Sequence, residues 1–279
     1  MWHDGSMSSR LHPQPGARLT APTLFARTAR LAAAVVVASM VALPPAAAAD
    51  SPPRADLAQV ELQVSLCAPP DEIVRALDLR PSGDPLEVWL FDDDALSLYA
   101  RGLRLRLRMA GPRAQLTLKV ANQDCAQLKA EHLPRGEGKC EYDLHGDQVA
   151  GAVSLETVLD AGRARRLVEG REPAGQALSA AQNRYLREVV RAWPLPPDLR
   201  ALGPVEVLRY RTADKRYDVD VSRLPGGERY VEIARKVPRA DAERAHGALL
   251  AAVARAGVAL CPDQSAQAET KLRTLLRRR

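Results

Sequence analysis

Aromatic residues are scarce. Phe, Tyr and Trp together make up 4% of 279 residues, so Leu, Val and Ala must fill whatever core the chain builds. No C-x-x-C pair occurs, and no histidine stands near a cysteine at zinc-ligand spacing, which excludes the common structural zinc sites. There is no Walker loop and no Gly-x-Gly-x-x-Gly, so neither a P-loop nor a dinucleotide-binding turn is present. Ser97 lacks the flanking glycines of a nucleophile elbow. His132, His145 and His246 are isolated near turns or on a helix and read as structural, and Trp89 and Trp193 read as core residues. No internal repeat or long low-complexity segment appears after residue 50.

Long apolar runs are also missing, apart from Leu31–Leu43 near the start. Arg27 and Arg30 precede this run, and Pro44-Pro45 and an alanine tract to Ala49 follow it. A basic start, a short apolar stretch and an Ala-x-Ala end are the marks of a secretory signal peptide, cleaved here after Ala49. The stretch is short for a membrane span. Residues 1–49 therefore read as signal, 50–58 as a Pro-rich linker, and 59–279 as the folded domain, soluble in the periplasm or outside the cell. Removing residues 1–49, with four arginines and one aspartate, lowers the net charge from +6 to +3. That modest balance argues against a nucleic-acid partner, and no membrane partner is expected after cleavage.

All four cysteines lie in the mature part. An even count in an exported chain favours disulfides. Three connectivities are possible. Cys125 and Cys140 flank one loop between strands that a barrel would pair, which favours Cys125–Cys140 and leaves Cys67 with Cys261.

What the chain does have is alternation. Gly102 to Arg108 places leucines on one face and Arg104, Arg106 and Arg108 on the other, the period-two pattern of a strand with unlike faces. Gln59–Leu66, Leu86–Phe91, Arg113–Val120, Lys139–Leu144, Val205–Arg211, Lys215–Ser222 and Glu228–Arg235 are further strands, most with the same contrast. Ala152–Ala161, Leu178–Trp193, Ala240–Ala256 and Gln264–Arg278 read as helices, so residues 151–200 form a helical insertion. Eight antiparallel strands can close into a barrel, giving an α+β fold with flanking helices. The charged faces could simply be wet outer surfaces. The amphipathic helices, however, need an apolar partner, and outward leucines would supply it, leaving the charges to line a tunnel.

In this order the motifs resemble the CYTH domain of the triphosphate tunnel metalloenzyme superfamily. Leu90-Phe91-Asp92-Asp93 is similar to that family's Tyr-Phe-Asp-Thr. Gly102 to Arg108 resembles its Gly-x-x-Leu-Arg-x-Arg, Thr117-Leu118-Lys119 its Thr-x-Lys, and Lys139 to Asp143 its Arg-x-Glu-x-Glu. Arg209, Arg211, Glu232 and Lys271 fall on later motif positions. The resemblance implies an eight-stranded tunnel for phosphorylated compounds. It departs from the family at the opening Glu-x-Glu-x-Lys, which here reads Glu61, Gln63 and Ser65, and at Ala234, where a second acid is common.

The candidate ligand-binding residues are therefore Arg104, Arg106, Arg108, Lys119, Lys139, Arg209 and Arg211. Arginine suits phosphate because its planar fork binds two oxygens at once. Glu61, Glu141 and Glu232 are the candidate ligands for Mg2+ or Mn2+, provided they converge; each could instead pair with a neighbouring basic residue. Two functions follow. One is a polyphosphate- or organic-phosphate-binding tunnel with divalent-metal-dependent phosphohydrolase activity. The other is a catalytically inactive phosphate-binding or structural barrel, which the changes at Gln63, Ser65 and Ala234 favour.

Overall fold

A computed structural model describes residues 59–145, 148–264 and 266–277; the signal-peptide reading falls outside them. The strands are β1 (Gln59–Leu66), β2 (Leu79–Pro81), β3 (Leu86–Asp92), β4 (Leu103–Ala110), β5 (Arg113–Ala121), β6 (Gly138–His145), β7 (Gln148–Asp160), β8 (Arg200–Thr212), β9 (Asp218–Arg223) and β10 (Arg229–Pro238). Around the sheet they run β8-β3-β4-β5-β7-β6-β1-β10-β9, and β9 pairs back onto β8. This closes a nine-stranded barrel. Short β2 continues along the β8 edge beyond β3. Closure leaves no free edge in the ring.

The fold is the α+β barrel expected from the alternation, with two differences. One pair, β1 with β6, is parallel. The ninth strand is β7, whose span 152–161 reads as helix from its Ala, Leu and Glu content. β7 is paired on both sides, with β5 and with β6. Ladders with β6 over Gln148–Leu155 and with β5 over Ala152–Asp160 outweigh a modest local helix propensity. The first part of the expected helical insertion is therefore barrel wall. Asp160 then caps the next helix by accepting from the Arg163 backbone N–H at 2.8 Å.

Six helices pack on this frame: α1 (Pro70–Ala76), α2 (Ser97–Ala100), α3 (Ala161–Val168), α4 (Ala180–Tyr185), α5 (Ala242–Arg255) and α6 (Gln267–Arg277). The leucines of β4 face outward. Leu103, Leu105 and Leu107 join Leu116, Leu118 and Leu155 in one core with Ala164 and Leu167 of α3 and Tyr185 of α4. Val60, Leu62, Val219 and Ile233 form a second core beneath Ile73 of α1 and Leu249 and Val253 of α5. Helices thus cover the apolar outside, as their own amphipathic faces require.

Gln182 ties α4 to the barrel. It is wholly buried, and its amide donates to the carbonyls of Leu116 and Leu155 at 3.1 and 2.9 Å. The third core lies on the inner side. Val88 and Leu90 share a face with Arg108 and Arg106 by register. They pack with Leu202, Val205 and Val207 of β8 and with Leu272 and Leu275 of α6. Helix α6 therefore lies against the inner wall.

Both disulfides join the pairs read from the sequence. Cys67–Cys261 ties the end of β1 to the segment before α6, and Cys125–Cys140 ties the β5–β6 loop to β6.

Candidate functional site: a charged barrel interior

Register decides which side chains share the interior. Arg104, Arg106 and Arg108 stand opposite Lys119, Thr117 and Gln115 on β5. These in turn face Ser154, Glu156 and Val158 of β7. Across β6 and β1 the inner positions are Lys139, Glu141, Asp143, Glu61, Gln63 and Ser65. On β10, β9 and β8 they are Lys236, Ala234, Glu232, Asp218, Asp220, Arg209 and Arg211.

These charges sort into two groups. On one side are Lys119, Lys139 and Lys236 with Glu61, Glu141 and Asp143. Lys119 Nζ donates to Asp143 Oδ2 at 2.5 Å. Lys139 pairs with Glu141 at 3.0 Å, Lys236 pairs with the other oxygen of Glu141, and Gln63 Nε2 donates to Glu61 Oε2 at 3.0 Å. Burial works to raise the Glu141 carboxyl, but its bonds to Lys236 and Lys139 outweigh that and hold it below the ordinary glutamate value. Glu61 moves the other way, since burial outweighs the attraction of Lys236.

On the other side are Arg106, Arg108 and Arg209. Among the described residues, none of the three has a carboxylate within 4.0 Å, and the Nε atoms of Arg106 and Arg209 are buried without a hydrogen-bond partner, although Arg209 Nη2 donates to the Asp84 carbonyl at 3.3 Å. Burial first, and then the neighbouring Arg108 charge, push the Arg106 guanidinium down to about 10. Burial also lowers Arg108. Asp220 sits across β9–β10 from Glu232. Its carboxyl is raised by burial and then by Glu232, against the pull of Arg108, Arg209 and Lys271. Lys271, from α6, lies 5.2 Å over the Tyr230 ring.

Not every candidate joins this arginine group. Arg104 is spent on its surroundings: its guanidinium stacks 3.7 Å over Tyr99 and donates to the Leu103 carbonyl at 2.9 Å. Arg211 is half-exposed and paired with Asp218 at 2.6 Å. Lys139 is committed to Glu141. The three candidate metal ligands do not converge. Glu61 and Glu141 lie among the lysines, whereas Glu232 faces Asp220. Among the described residues no three acidic, histidine or cysteine side chains gather as they would round a metal ion.

Two interior residues escaped the sequence reading. Glu156 was hidden by the misread strand. Lys236 lay one step past the assumed end of the last strand, although it continues the Tyr230, Glu232, Ala234 series at period two. Asp92 of the Phe-Asp motif has a structural part: its carboxylate accepts from the backbone N–H groups of Asp93, Leu98 and Tyr99 at 2.9–3.0 Å and so fixes the turn into α2.

A closed barrel with most of its helices outside, α6 against the inner wall and charged side chains inside defines a tunnel-barrel protein. No family model matches the chain, and no curated protein matches it in sequence. Solved structures do match. A Hippeastrum protein, assigned as an adenylyl cyclase and described as having a dominant triphosphatase activity, is similar with a TM-score of 0.52. That likeness covers 77% of this chain and 95% of the other at 16% identity. A Bacillus halodurans protein assigned as an adenylate cyclase is similar with a TM-score of 0.50, over 76% of this chain and 98% of the other at 12% identity. This chain shares their fold, the CYTH-like barrel that the order of its sequence motifs implies.

Proposed function

We propose that this protein binds a chain of phosphoryl groups, inorganic polyphosphate or an organic triphosphate, inside its barrel after export from the cytoplasm. The observation that carries the reading is the enclosed pair Arg106 and Arg108, with Arg209 near them on β8, none of which has a carboxylate partner among the described residues. Enclosed like charges of this kind are costly when empty, and a polyanion relieves that cost. Their planar forks suit phosphate oxygens. Two disulfides support an oxidising compartment, and no helix among the described residues is long and apolar enough to cross a membrane.

Binding rather than turnover is the better-supported activity. Hydrolysis in such a tunnel would draw on a divalent ion to offset charge on the transferring group, and Glu61, Glu141 and Glu232 do not assemble a site for one.

The test is a melting curve with tripolyphosphate, on protein recovered after export and expected to begin at Asp50. At about a hundredfold excess over Kd the midpoint should rise by about 5–10 °C. Arg106→Gln/Arg108→Gln should lose the rise while melting, unliganded, at the wild-type temperature or above, because charge crowding is relieved. Equal rises in the two proteins would reject the interior arginines as the binding site.

A further inference from the structure

The carboxylates that a divalent ion would need are held by the chain's own ammonium groups. Lys236 and Lys139 each take one oxygen of Glu141, and Lys119 takes Asp143 Oδ2 at 2.5 Å. Glu61 stands directly across from Lys236 on β10 and from Asp143 on β6, with Gln63 donating to its Oε2. The three lysines balance the three acids, so the patch has no formal charge left for a dication. The Asp143 Oδ1 atom is buried without a partner, but one spare oxygen beside three ammonium groups does not make a site. Magnesium and manganese are hard cations that take several oxygen ligands and favour anionic ones. A dication entering here would have to expel at least one lysine from its pair. The Lys236 side chain is partly exposed, but its backbone occupies a regular inner position of β10, set by the ladder with β1, and its ammonium group is paired with Glu141.

We infer that Lys236 is a resident cation standing where a divalent metal would be expected, so that this tunnel holds its phosphate-chain ligand with fixed ammonium and guanidinium groups and without metal. The inference rests on the phosphate-binding reading for its ligand, but not for its metal chemistry. A built-in cation has a consequence of its own: magnesium in solution complexes tripolyphosphate and lowers its charge, so it competes with the protein instead of bridging to it.

Two measurements on the mature chain separate these claims. The first is an EPR titration with Mn2+ alone, which reads bound against free ion. Wild-type protein should leave Mn2+ free up to about 1 mM, in the range where weak protein sites would already fill. Lys236→Glu, which adds a fourth carboxylate and removes the blocking ammonium, should bind Mn2+ at least about tenfold more tightly than wild type. Mn2+ bound by wild-type protein with Kd below about 0.1 mM overturns the inference, whether or not the variant folds.

The second is the wild-type melting shift with tripolyphosphate in EDTA and in excess MgCl2. A shift in EDTA that is equal or smaller in magnesium supports the resident cation. A shift seen only with magnesium overturns it. No shift under either condition rejects the phosphate-chain reading, and the Mn2+ titration then still decides the metal question.

Discussion

Asp220 shows how finely the interior is balanced. It lies among Arg108, Arg209 and Lys271, yet burial and the facing Glu232 raise its carboxyl above the ordinary aspartate value of 3.8. A bound polyanion would be a further negative neighbour and would raise it again, so binding should take up a proton at this position. Affinity for tripolyphosphate should therefore increase as the pH falls from 7 towards the aspartate range. In Asp220→Asn the affinity should be higher at pH 7 and its pH dependence flatter, judged against wild type in the same buffers so that the ligand's own titration cancels.

Stability should move with the same sign. A carboxyl raised by folding binds its proton more tightly in the native state, so its cost is absent below the unfolded value and is incurred as pH rises through the folded one. Asp220→Asn should thus melt no lower than wild type at pH 7. Calorimetric titrations of both proteins across this range test it, and parallel pH profiles would remove Asp220 from the site.

The elements differ in how far they could be read from residues alone. Strands with one charged face and one leucine face, such as β4 and β5, declare both their period and their inner side. β7 does not, because small and helix-favouring residues occupy both its faces and only its partners β5 and β6 make it a strand. The loss of β7 took Glu156 with it, and ending β10 at Arg235 hid Lys236. Helix α6 was legible as an amphipathic helix. Its place against the inner wall was not, because an apolar face does not specify which apolar partner it will cover. Likewise, alternation identified Arg104, Arg106 and Arg108 as one face but could not tell that Arg104 would be engaged by Tyr99 while Arg106 and Arg108 stay without a carboxylate partner among the described residues.

β7 also offers a stability test. Gly151 lies so close to the β5–β6 loop that an added Cβ would fall 2.0 Å from the Gln123 carbonyl oxygen. The Gln123 N–H in turn donates to the Gly151 carbonyl at 2.9 Å. Gly151→Ala should cost about 1–3 kcal/mol through forced displacement of that loop, read as a lower denaturant midpoint. An unchanged midpoint would contradict this packing of β7.

At the scale of the whole domain, closure and cross-links work together. The sheet ends meet at β8 and β9, so no strand of the ring is left as an edge. Cys67–Cys261 closes 194 residues of sequence, worth about 5 kcal/mol in the chain-entropy model. Cys125–Cys140 closes 15, worth about 3 kcal/mol on the same model. The first link also holds the approach to α6. Around it Cys67 donates to the Ala259 carbonyl, Cys261 donates to the Ser65 carbonyl, and Gln264 bonds the Ser65 backbone in both directions. A frame cross-linked in this way can keep the Arg106 and Arg108 guanidinium groups enclosed, which a looser barrel would release to solvent.

The most direct test of the central claim is a crystal structure of the mature protein grown with tripolyphosphate and EDTA. The account predicts phosphoryl density inside the barrel within hydrogen-bond distance of Arg106, Arg108 and Arg209, with Lys236 still paired to Glu141 and no metal between ligand and carboxylates. Phosphate bound only on the outer surface, or an interior ligand reached through a metal on Glu61 and Glu141, would contradict it.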